Sequence, residues 1–201
     1  MQAFTILCRK NQNTPSITSK KMTMKVRQLI MQSVIIAGLS FAGAWNVDSA
    51  NAKVAFSVKG PFGTVNGTFS GLKATIQFED KDLAGSSIKA SIDANTISTG
   101  VGLRNHHLKT EEQYLNTDKY PQITFHSKKI EKTANGYKAI GDLTLKDVTK
   151  PVEIPFTFTL NGGAGEFKGQ FTIKREDYNI GNTGGTIGDI ITIMLDVPVK
   201  K

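Results

Sequence analysis

The residues best suited to chemistry in this chain are its three histidines, His106, His107 and His126, the first two adjacent and close to Arg104. Imidazole titrates near neutrality and ligates metals, so such a group could serve acid–base or metal chemistry. Adjacent histidines on a helix, however, diverge by roughly 100° at 3.6 residues per turn. No carboxylate–histidine spacing of a zinc site accompanies them, and no metal is expected. Arg104 and His107 stand three positions apart and would share one helix face. That pairing suits contact with a polar headgroup; the alternative is that Arg104 pins the helix to the domain and His107 serves a backbone carbonyl. The glycine-rich stretch Gly181-Asn182-Thr183-Gly184-Gly185-Thr186-Ile187-Gly188 lacks the Gly-Lys-Ser/Thr ending of a phosphate loop and reads as a turn. Nucleophile-elbow and zinc-protease motifs are missing too. Asp142 and Asp147 fit strand-face and turn positions. No catalytic residue and no cofactor are assigned, and the chain is not expected to be an enzyme.

What must position Arg104 and His107 is a run of amphipathic strands. Leu72, Ala74, Ile76 and Phe78 alternate with polar residues, as do Ile88, Ala90, Ile92 and Ala94. The same period of two runs through Val152–Leu160, Phe167–Ile173 and Ile191–Val199, so each segment has one dry and one wet face. Less regular strands fit Lys53–Val58, Thr64–Ser70, Ile123–Ile130 and Tyr137–Leu145, with turn signals such as Asn135-Gly136 and Asn161-Gly162-Gly163 between them. One helical excursion is expected near residues 101–117, carrying Leu103, Leu108 and Leu115 as a loose apolar stripe and stopped before Pro121. The class is all-β, an antiparallel barrel or sandwich of about eight strands. An outer-membrane barrel is disfavoured, because one Trp and four Tyr are too few for two aromatic girdles.

The N-terminus is read apart from this domain. Lys20, Lys21, Lys25 and Arg27 precede an apolar run, Leu29-Ile30-Met31 and then Val34–Phe41, which ends in Ala42-Gly43-Ala44. A basic region, a short apolar core and a small-residue site mark a secretory signal cleaved after Ala44. The run is too short, with Gln32 and Ser33 near its start, for the ~20 residues of a membrane span. Residues 1–44 thus form an extension and signal, and 45–201 one domain destined for the periplasm. The extension holds six of the 25 Lys and Arg and no acidic residue. The remainder therefore carries 19 basic against 17 acidic residues, a net charge of +2. The basic character of the whole chain belongs largely to the signal, and nucleic-acid binding is not expected. The single cysteine, Cys8, also leaves with the signal, so the domain is stabilised by burial without disulfides.

Several spaced motifs carry a resemblance. Trp45-Asn46-Val47-Asp48 is followed by Val54-Ala55-Phe56-Ser57-Val58 and Gly67-Thr68-Phe69-Ser70-Gly71. Arg104-Asn105-His106-His107-Leu108-Lys109-Thr110 precedes Lys119-Tyr120-Pro121-Gln122-Ile123-Thr124-Phe125-His126-Ser127. Then come Gly141–Val152 and Ile187-Gly188-Asp189-Ile190-Ile191-Thr192-Ile193. Together these resemble the YceI-like, polyisoprenoid-binding family across Trp45–Lys201. The resemblance implies an extended, lipocalin-like antiparallel barrel whose lumen takes the tail of an isoprenoid or quinone-type lipid. Asn105 and Lys109-Thr110 depart from the Asp and Arg-Ser of that family, and a neutral Asn105 cannot pair with a cation as a carboxylate would. Lumen candidates are the apolar-face residues Phe56, Phe69, Phe78, Ile92, Phe125, Phe156, Phe158 and Phe171, with Arg104 and His107 for the headgroup. A packed scaffold or stress protein, or an enzyme acting on a prenyl substrate, are the competing readings. A homodimer is allowed among the expected partners, beside the lipid.

Overall fold

The computed structural model describes residues 43–181 and 184–201. Residues 1–42 of the expected signal segment, Cys8 among them, lie outside the described residues, as do Asn182 and Thr183; Ala44, its last residue, opens β1. Ten strands run in chain order: β1 Ala44–Val47, β2 Lys53–Gly60, β3 Gly63–Phe69, β4 Lys73–Gln77, β5 Ser87–Asp93, β6 Gln122–Thr133, β7 Gly136–Leu145, β8 Val148–Asn161, β9 Ala164–Lys174 and β10 Ile190–Lys200. Every pairing is antiparallel.

The sheet closes on itself because β1 and β2 follow one another along the same edge of β10. Asn46 and Val47 pair with Lys200 and Val199, and Lys53–Val58 pair with Asp196–Ile191. Likewise β3 pairs with β2 while β4 pairs with β1. Each of these couples is one long strand broken by a bend, so the ten segments form an eight-stranded, closed, up-and-down barrel. Closure leaves few free edges and gives each strand an inward and an outward face. The breaks explain why Leu72, at the bend, interrupts pairing although its side chain is buried.

Local chemistry accounts for the turns. Lys146 and Asp147 join β7 to β8 in two residues, with φ of 53° and 59°. Positive φ at both positions matches the right-handed twist of the flanking strands. Asp147 thus stands in a turn, as expected from the sequence.

The excursion between β5 and β6 is shorter in helix than expected. Helix α1 spans Gly102–Thr110, and residues 111–120 continue as turns. The anticipated leucine stripe splits accordingly. Leu115 is buried beyond the helix end, Leu108 is half-buried, and Leu103 is 67% exposed. Leu115 N–H donates to the Leu108 carbonyl, which folds the post-helical turn back under α1. A two-way bridge between Thr68 and Ser98 ties the start of the excursion to β3. It covers the stretch of wall where β3 and β5 are not paired.

Strand direction sorts the connections. The β2–β3 hairpin, the α1 excursion, the β7–β8 turn and the β9–β10 loop lie at one end of the barrel. The β4–β5, β6–β7 and β8–β9 connections lie at the other, with β1 and the C-terminus. Among the described residues, no helix is long and apolar enough to cross a membrane.

Candidate functional site: an apolar lumen with a polar mouth

Inward-facing side chains do not fill the barrel evenly. At the end where β1 enters, rings stack into a plug. Phe78, 2% exposed, meets Tyr137, Phe156, Phe158 and Phe167 edge-on at centroid distances of 4.9, 5.7, 5.1 and 5.4 Å. Trp45 adds a 5.0 Å edge contact with Phe158 and donates its indole N–H to the Phe78 carbonyl at 3.0 Å. Edge-to-face geometry suits the ring quadrupoles, and the indole donor is satisfied inside the plug.

Beyond the plug the lumen opens into a cavity of about 990 Å³. Its wall is aliphatic and aromatic, including Val54, Ile76, Leu143, Ile154 and Leu195. Six of the sequence-derived lumen candidates line it: Phe56, Phe69, Ile92, Phe125, Phe156 and Phe171. Phe78 and Phe158 do not. Their inward faces are spent on the plug, a distinction that period-two patterning cannot make because both kinds of residue point inward. The Phe56 ring lies across Gly67, its cross-strand partner; a Cβ at Gly67 would come within 2.3 Å of that ring.

Arg104 and His107 both line the cavity from α1. His107 Nδ1 lies 3.7 Å from Glu111 Oε1 one turn on. Asn105 is the helix's anchor: its Oδ1 accepts from the Thr99 backbone N–H at 2.8 Å and the Thr99 hydroxyl at 2.7 Å. A neutral amide performs this role fully, and it leaves no carboxylate there to neutralise Arg104. Arg104 has no ion pair among the described residues. His126 stands apart on β6, opposite Lys89 and Asp142. No cluster of three or more His, Cys, Asp or Glu that could hold a metal occurs among the described residues.

The mouth has further polar members that sequence reading missed: Thr99, Gln113, Tyr114 and Arg175. Arg175 matters most. It is 4% exposed and donates to the carbonyls of Ile180, Ile187 and Gly188, with Asp189 Oδ1 3.0 Å from Nη2. One guanidinium thereby organises the whole β9–β10 loop, because its planar fork offers five donors in fixed directions. Its position directly after Lys174 at the end of β9 carried no mark of burial. On the opposite side, Lys146 Nζ donates to the Glu112 and Asn179 carbonyls at 2.6 and 2.7 Å, tying the excursion and the β9–β10 loop to the β7–β8 turn. Partial burial holds the Lys146 ammonium below its ordinary range.

Closed barrel, aromatic plug and capped lumen coincide with a match of residues 45–199 to the YceI-like domain family. The chain belongs to that family. A UPF0312 protein of Yersinia enterocolitica is 31% identical over 171 aligned residues, covering 80% of this chain and 88% of the relative. The crystal structure of Burkholderia cenocepacia BcnA superposes with a TM-score of 0.71 at 28% identity, covering 76% of this chain and 99% of that one. A polyisoprenoid-binding domain from Saccharophagus degradans shares the fold with a TM-score of 0.60 at 16% identity, covering 78% and 98% of the two chains.

Proposed function

We propose that this protein is a periplasmic carrier that holds the chain of an isoprenoid lipid, polyprenyl or quinone-type, in its lumen. The observation that carries the reading is the unfilled apolar cavity of about 990 Å³ inside an otherwise closed barrel. Empty apolar volume of that size forfeits dispersion contacts that a packed core would make. A ligand restores them, and each methylene buried contributes about 0.8 kcal/mol. A wall without charged groups below the mouth selects by length and girth. Arg104 and His107 then meet the polar end of the lipid where it emerges. The polyisoprenoid-binding neighbour from Saccharophagus degradans supports this choice of cargo.

In the same reading, residues 1–44 direct export and are removed after Ala44, leaving 45–201 as the working domain. Neither cofactor, metal nor reaction is part of it. The test is mass spectrometry of lipids extracted from protein purified out of its native cell envelope. Recovery of a prenyl-chain species at near-stoichiometric yield is expected. Protein that arrives without lipid, and takes up none from solubilised prenyl alcohols or quinones, overturns the proposal. His107→Ala should weaken binding of a headgroup-bearing lipid a few-fold while leaving a headless prenyl chain unaffected.

A further inference from the structure

Seven large apolar side chains are exposed among the described residues: Phe62, Val101, Leu103, Leu160, Ile187, Ile190 and Met194. Five of them stand at the mouth end of the barrel, on the β2–β3 hairpin tip, the start of α1 and the close of the β9–β10 loop. Phe62 is fully exposed at 103%, and it lines the cavity together with Ile187. The lumen's apolar surface therefore continues outward onto the rim. These segments are neighbours around the ring. β10 pairs with β2 and β2 with β3, Gly188 N–H donates to the Lys59 carbonyl, and the excursion leading into α1 bridges to β3.

The mouth has two lips. On the apolar lip three of the five exposed hydrophobics have a basic neighbour: Lys59 three residues before Phe62, Arg104 after Leu103, and Lys174 directly opposite Ile190. Helix α1 itself contains no acidic residue, and the lip's Asp189 is paired to Arg175. The far lip is mixed in charge, with Glu112, Asp147 and Asp177 accompanied by Lys146 and Lys119. Protruding apolar tips ringed by cations match the surface of an anionic bilayer, where the tips enter the acyl boundary and the cations meet headgroups.

We infer that the lip formed by Phe62, Leu103, Ile187 and Ile190, with Lys59, Arg104 and Lys174, docks the barrel mouth on an anionic phospholipid surface. This rests on the lumen holding a lipid, since docking there lets a tail pass from membrane to cavity without crossing water.

The test is flotation of the purified protein with vesicles of phosphatidylethanolamine and phosphatidylglycerol, beside vesicles of phosphatidylcholine alone. Leu103→Asp, which does not line the cavity, should reduce partitioning on the anionic vesicles by about tenfold, the scale of withdrawing one large apolar side chain. Leu160→Asp, at the opposite end of the barrel, should leave it unchanged, which also separates the lip from any contribution of the N-terminal segment. Thermal melts confirm that both variants fold. Binding of a solubilised prenyl lipid should be equal in wild type and Leu103→Asp, so failure of the cargo reading shows as no lipid binding in either. Equal flotation of wild type and Leu103→Asp, or equal loss in Leu160→Asp, overturns the inference. So does a vesicle-free dimer, seen by light scattering, that Leu103→Asp dissolves, since the lip would then be covered by a second copy.

Discussion

The two ends of this barrel are built from the same kind of residue and do opposite things. At the plugged end, Phe78, Phe156, Phe158, Phe167, Trp45 and Tyr137 satisfy one another, and their burial stabilises the fold. At the mouth end, Phe56, Phe69 and Phe171 face a cavity and spend only part of their surface on protein, while Phe125 lines it from a buried position. An inward phenylalanine is thus not one thing. Its meaning depends on whether the opposite wall supplies a ring at about 5 Å or an empty lumen.

The largest expected effect breaks the plug. Phe78→Ala should cost about 3–5 kcal/mol in urea unfolding, because the hole it leaves is fenced by four other rings. Phe56→Ala, facing space already empty, should cost only about 1–2 kcal/mol while changing lipid affinity. Equal costs would erase the distinction between the ends.

Next, Ala90→Trp should fill the lumen from β5. It should abolish uptake of a long prenyl chain by more than tenfold, with a stability change under about 1.5 kcal/mol in the same unfolding assay. A smaller contrast concerns the mouth alone. Arg175→Met leaves the carbonyls of Ile180, Ile187 and Gly188 without their donor, and about 2 kcal/mol should be lost, short of the full penalty because the loop can reach water. Hydrogen exchange should then accelerate in residues 184–189 and stay slow in the plug.

The gentlest probe uses pH and samples both ends at once. The Tyr137 phenol is pushed up to about 12, first by its hydrogen bond to Asp80 and then by burial. Burial, and then Asp177, pushes the Tyr178 phenol at the mouth to about 12 as well. Both stand above the ordinary value of about 10 of an unfolded chain. Their contribution is therefore whole below pH ~10 and is lost as pH rises toward ~12. Absorbance titration should show two late phenols, and Tyr137→Phe should leave one.

Much of the frame was legible in the chain. Alternation located the strands to within a few residues, and Ile92, Phe125 and Phe171 were recognisable as inward-facing. The breaks between β1 and β2 and between β3 and β4, five and three residues long, were less legible, because a short bend inside one long strand leaves the period of two intact on either side. Arg104 and His107 were picked out by their spacing, whereas Arg175 was not, since its role comes from backbone carbonyls of a loop up to thirteen residues away.

The sequence by itself determined which residues face inward, since the pleat allows only two sides and one of them must be dry. Only the tertiary structure decided where the interior is packed and where it is hollow. That depends on which side chains meet across the barrel axis, from strands that pair with other neighbours and share no local signal. Whether a ring becomes plug or wall is settled by closure.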